Sequence, residues 1–211
     1  MQLGEDTITM SMTLNPVNEA AFQKAVQSLE TLNRAAVFHP TGTGKSCIAW
    51  KVVEAHPQTT FFWLVAGAQR LALRQAELTR YNGGTLPGNV RFCDCEKLAA
   101  ATPEQWVRLG EQKPGCIVLD CYHELSAVYW AQSVQKLLRM CPQAKVLGLG
   151  VPNGAPVCAA AQELFADCIV SHMTVAEAMA AGTMPVPSAY AALLWPQEEE
   201  LATLRARIKN L

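Results

Sequence analysis

The sequence predicts an α/β fold, a doubly wound and mainly parallel sheet flanked by helices. Three observations lead there. Continuous apolar runs such as "CIVL" and "KVLGLG" are bounded by turn residues, as strands covered on both faces require. Segments with apolar residues at helical spacing alternate with those runs, which implies right-handed crossovers between parallel strands. A glycine-rich stretch, "HPTGTGKS", follows the first strand and opens the second helix, at the strand ends where such sheets gather their ligands.

In chain order, the first helix opens at "NPVNEAAFQKAVQSLETL". Asn15 is its cap, and Pro16 takes the first helical position, where a missing N–H costs nothing. "AAVFH" follows as a short buried strand, and "KSCIAWKVVEA" is the helix behind the glycine loop. "TTFFWLVA" is a strand, "AQRLALRQAELTR" a helix, and "NVRFCD" a strand after the Asn82-Gly83-Gly84 turn. The strand "GCIVLD", the helix "LSAVYWAQSVQKLLRM" and the strand "KVLGLG" continue the alternation. "PQEEELATLRARIKNL" reads as a final helix, with glutamates at its start and Arg205, Arg207 and Lys209 near its end, where they complement the helix dipole. Its stripe of Leu201, Leu204, Ile208 and Leu211 can pair with another chain or pack back on its own domain. The expected division is one lobe over residues 1–190 and a C-terminal helix over 191–211.

Composition sets the outer bounds. The chain has 211 residues, half of them hydrophobic, and a net charge of -1, with a pI near 6.4. One α/β unit with an extra terminal element suits that length. No global positive field draws the chain to nucleic acid or an anionic membrane, so any such contact is local. The apolar runs fall short of the roughly 20 residues that span a bilayer, and "MQLGEDT" lacks the features of a signal peptide. The expectation is a cytoplasmic chain with no membrane contact. The eight cysteines form no C-x-x-C pair and read as reduced core residues. His56 and His172 lack partners at metal spacing, and the tryptophans read as core or interface residues.

The chemistry concentrates in two motifs. In His39, Pro40, Thr41, Gly42, Thr43, Gly44, Lys45 and Ser46, the glycines let successive backbone N–H groups aim at phosphate oxygens, and the following helix adds its positive N-terminus. Lys45 is placed to bridge the β and γ phosphates and the Ser46 hydroxyl to bind magnesium, so the expected cofactors are ATP and Mg2+. The bland alternative is an ordinary glycine turn. The full phosphate-loop pattern wants a glycine where His39 stands. In the second motif, "LDCYH", Asp120 directly follows a buried strand and can hold magnesium through water, completing the site that Ser46 begins; the alternative role is a helix cap.

These two motifs, the strand end "VLGLGVP" and the later "ELFADCIVSHMTVAEAMAAGTMPVPSAY" resemble, in order, the first RecA-like motor lobe of superfamily-two DNA helicases, of the DEAD/DEAH-box and type III restriction kind. The resemblance covers roughly Asn15 to Tyr190. It implies an Asp-Glu-x-His motif after the strand. Asp120 and His123 match its first and last residues, and Cys121 stands where the glutamate belongs. In the family that glutamate orients and deprotonates the attacking water. A thiol with a reference pKa of about 8.5 and one weakly accepting sulfur cannot do so. Loss of a positioned base removes about 10²- to 10⁴-fold in rate, which leaves binding intact and stalls hydrolysis, with His123 the catalytic residue that remains. Cys121 as a redox switch is the other reading.

The resemblance further implies that Gly150-Val151-Pro152 replaces the Ser-Ala-Thr motif, that Arg70 and Arg74 touch a DNA backbone weakly through phosphates, and that Gln23 either reads adenine or lies on a solvated face. It also implies a second motor lobe, absent from this sequence and either truncated or carried by another chain. Two functions follow. One is the ATP-binding lobe of a DNA helicase or restriction translocase, impaired in hydrolysis; the other is a catalytically inactive module that binds nucleotide or a protein.

Overall fold

The computed structural model describes residues 12–122, 128–152 and 163–187, with backbone alone at 128 and 129. Helix α1 (Pro16–Thr31) starts where the sequence places it, and the Asn15 carboxamide accepts the Asn18 N–H at 2.8 Å. Strand β1 (Arg34–Phe38) feeds the glycine loop, and α2 (Lys45–Ala55) leaves it. Then come β2 (Phe61–Val65), α3 (Ala68–Tyr81), β3 (Val90–Asp94), α4 (Cys95–Ala99), α5 (Pro103–Glu111) and β4 (Cys116–Leu119). Helix α6 (Val128–Met140), β5 (Lys145–Gly150), β6 (Ile169–His172) and α7 (Val175–Ala180) complete the described elements.

All six strands run parallel in the order β3-β2-β4-β5-β1-β6. Alternate residues of each central strand therefore serve opposite faces. Ala35, Val37, Trp63, Val118 and Leu147 pack against α1, α2 and α3. Ala36, Phe38, Phe62, Ile117 and Leu119 pack against α4, α5 and α6. Because both faces need apolar cover, the strands read as unbroken apolar runs and the sheet is doubly wound, as the sequence predicts.

Three details differ from the sequence reading. Helices α4 and α5 were not anticipated, although Thr102 and Gln105 form a reciprocal capping box that marks the start of α5. Strand β6 is a short, partly exposed edge strand, so it lacks the apolar run that betrays a central one. Gly150 is a packing residue: a Cβ there would lie 2.3 Å from Phe38 Cε1, and its carbonyl accepts the His39 N–H at 3.1 Å. A serine at this place, as the helicase motif would have, cannot fit without displacing the Phe38 ring.

The C-terminal helix, His123 and Cys158 lie outside the described residues. Among the described residues no helix is long and apolar enough to cross a membrane. The seven described cysteines are free thiols, and burial pushes Cys93, Cys95 and Cys116 up to about 12, as inert core thiols require.

Candidate functional site

The parallel order brings the carboxyl ends of β1, β4 and β2 to one rim. The glycine loop springs from β1, Asp120 and Cys121 follow β4, and Arg74 reaches in from α3. Gly42 (φ +86) and Gly44 (φ +90) take left-handed conformations that other L-residues adopt only under strain. The Cys47 N–H closes on the Gly44 carbonyl at 2.9 Å, so α2 starts abruptly. As in any helix start, the Lys45 and Ser46 amides have no carbonyl behind them, and they face outward with the positive end of the helix.

Lys45 is folded onto its own loop. Its ammonium donates to the His39 and Pro40 carbonyls, at 2.8 Å each. Burial lowers its pKa, Asp120 acts the other way, and the charge of Arg74 adds to the lowering. To reach a phosphate the ammonium exchanges two carbonyls for charged oxygens, which are stronger acceptors.

His39 stands where the phosphate-loop pattern has glycine, and the structure gives it a different task. The ring is fully buried, with Nε2 2.8 Å from Ser171 Oγ on β6, and Nδ1 has no partner among the described residues. Burial, then the charges of Lys45 and His172, pull its pKa from 6.5 to about 4, so it is a neutral ring that ties the loop to the edge strand.

Asp120 is buried, at 2% exposure. Its Oδ2 accepts from Arg74 Nε at 2.6 Å and from the Trp63 indole at 3.1 Å, while the Cys121 thiol lies 3.7 Å from Oδ1. Arg74 also pairs with Glu77. Arg74 was expected to reach a DNA backbone; instead its guanidinium is committed inside the site, with its side chain 20% exposed. Burial opposes its charge, but the two carboxylates outweigh burial and raise its pKa. Arg70 lies on the exposed first turn of α3. Cys121 follows at φ +59, and this left-handed turn sets its thiol beside the carboxylate.

The donor set was tested against the expected magnesium ion. Magnesium takes oxygen ligands at about 2.0–2.1 Å, and Asp120 Oδ2 already holds a guanidinium. Among the described residues no group of three or more His, Cys, Asp or Glu side chains is placed to hold a metal. In this conformation Arg74 and Trp63, rather than a cation, are the partners of Asp120 Oδ2, and Oδ1 faces the Cys121 thiol.

Two site residues escaped the sequence reading. Asn18, buried in the first turn of α1, donates from Nδ2 to the Thr43 carbonyl at 2.8 Å, and its Oδ1 has no partner among the described residues. Gln23, the residue weighed for an adenine contact, instead bonds Glu19 on the exposed side of the same helix. Trp63 was read as core, and it is core, but its indole N–H also holds Asp120. A signal for it exists: Trp63 pairs with Val118, and Asp120 lies two residues further along on the same face.

Neither a protein-family model nor a curated protein matches the sequence. Solved structures do match it. A hypothetical ATP-dependent RNA helicase from Sulfolobus tokodaii aligns with a TM-score of 0.53 at 13% identity, over 80% of this chain and 55% of that one. Domain III of the Thermotoga maritima replication initiation protein DnaA aligns at 0.46 and 11% identity, over 82% of this chain and 69% of that one. The ATP-dependent Type ISP restriction-modification enzyme LlaBIII, bound to DNA, aligns at 0.47 and 16% identity, over 69% of this chain and 13% of its own. The chain thus spans about half the length of the helicase and a small part of the restriction enzyme. At such identities the likeness is one of fold, an α/β unit built on a parallel sheet.

Proposed function

We propose that this chain is the ATP-binding lobe of a DEAD/DEAH-box-like DNA helicase or restriction translocase, and that it binds nucleotide without hydrolysing it at an appreciable rate. The observation that carries the reading is the loop itself: Gly42 and Gly44 at positive φ, free helix-start amides at Lys45 and Ser46, and a lysine ammonium within the loop. An anion seated there meets backbone dipoles and one full charge, which is what a triphosphate needs. Asn18 fixes the loop from α1 and His39 fixes it from β6, so the cradle is held from two sides before a ligand arrives.

Impaired hydrolysis rests on Cys121. Its thiol lies against Asp120 and offers no carboxylate to orient a water. Asp120 is proposed to meet magnesium only once Arg74 has let go. Contact with DNA through Arg70, and engagement with a second lobe, belong to the same proposal.

Titration of the purified chain with ATP by calorimetry tests it. Binding in the micromolar to millimolar range, abolished by Lys45→Ala in a variant that still unfolds cooperatively, is the expected result. A wild-type chain that shows no heat up to millimolar ATP overturns the reading.

A further inference from the structure

We infer that Arg74 is the built-in counter-cation of Asp120, so that the loop takes nucleotide in its metal-free form and the carboxylate can meet a magnesium ion only after the guanidinium has released it. The inference rests on the nucleotide-binding reading above and names the form of the ligand.

Four observations carry it. Asp120 is almost wholly buried, and a buried carboxylate needs a partner charge. That charge is already supplied, at 2.6 Å from Oδ2, by Arg74 Nε. The Trp63 indole takes up a further direction on the same oxygen, at 3.1 Å. Glu77 holds the other side of the guanidinium, so Arg74 is clamped between two carboxylates rather than swinging free.

Electrostatics points the same way. Among the described residues the two carboxylates balance Arg74 and Lys45. A divalent ion added between Asp120 and the loop would stand beside the Arg74 charge, in a setting where water screens weakly. A metal-free triphosphate, in contrast, brings only negative charge toward Lys45, Arg74 and the α2 terminus.

The test is calorimetric titration of the full chain with ATP, once in excess magnesium chloride and once in excess EDTA. The wild type should bind with the same affinity in both buffers, within about 3-fold. Arg74→Gln frees the carboxylate, so its affinity should fall at least about tenfold when magnesium is withdrawn. The double variant Arg74→Gln/Asp120→Asn removes both charges and should again ignore magnesium. A wild type that loses about tenfold or more in EDTA overturns the inference while leaving nucleotide binding in place. So does a folded Arg74→Gln chain that remains indifferent to magnesium. Absence of binding in both buffers overturns the nucleotide reading and this inference with it. The wild-type comparison needs no variant and decides the matter by itself if Arg74→Gln fails to fold.

Discussion

Gly42 and Gly44 both sit at positive φ, yet replacing them with alanine should cost very different amounts. At Gly42 a Cβ meets nothing within 4 Å, so Gly42→Ala carries only the left-handed strain, about 1 kcal/mol. At Gly44 the new Cβ would lie 2.7 Å from Asn18 Nδ2. The carboxamide must then leave, and its bond to the Thr43 carbonyl is lost. Adding about 1 kcal/mol for that bond and about 1 kcal/mol for moving a buried polar group to the same strain gives about 3 kcal/mol, of which about 2 kcal/mol disappears from the sum when Asn18 is also removed. For a chain of this size that is a fall of roughly 6–12 °C in Tm, against roughly 2–4 °C for Gly42→Ala. Urea denaturation and thermal melts followed by circular dichroism measure both.

A double-mutant cycle sharpens the test. Asn18→Ala removes the obstructing group, so Asn18→Ala/Gly44→Ala should be less destabilised than the sum of the single variants by about 2 kcal/mol, since the lost bond is counted once and nothing need move. Equal costs at the two glycines, or strict additivity in the cycle, would refute the claim that Asn18 braces the loop.

Two further outcomes are expected. His39 has a pKa lowered to about 4 in the folded chain, against 6.5 when exposed. Between those values the unfolded chain binds the proton that the folded chain refuses, so stability should rise with pH through the window and be lost as pH falls from about 6.5 to about 4. The loss is no more than about 3 kcal/mol; His39→Gln should flatten the curve of urea midpoint against pH, and a wild-type curve that is level across the window would show that the ring is not held neutral. Cys121→Glu should raise ATP hydrolysis, measured as phosphate release, by roughly tenfold over a near-background wild type, without stimulation by single-stranded DNA. Steady wild-type turnover that disappears in Lys45→Ala and gains nothing from Cys121→Glu would mean that another residue positions the water.

Much of this protein is written in local sequence. The loop is legible because each of its tasks has its own residue type: glycine for positive φ, lysine for charge, and a helix start for free amides. The central strands β1, β2, β4 and β5 are legible because burial on both faces removes polar residues from them, and α1 because Asn15 and Pro16 mark its start. Elements at the margin are fainter. The edge strand β6 needs cover on few positions and carries no unbroken apolar run, and the short α4 has too few turns to show a period. What the sequence could not decide is the company each side chain keeps. Arg74, Trp63 and Asp120 come from three elements between 11 and 57 residues apart, and nothing in their local patterns says that the guanidinium turns inward to the acid rather than outward to a phosphate. Asn18 and Gln23 carry similar amides on one helix, and only the packing of α1 on the loop makes one a brace and leaves the other in solvent. Propensity and periodicity are properties of neighbours in the chain, and they fix elements. A buried charge must find its partner across the fold, and that pairing exists only once the strands have been ordered into a sheet.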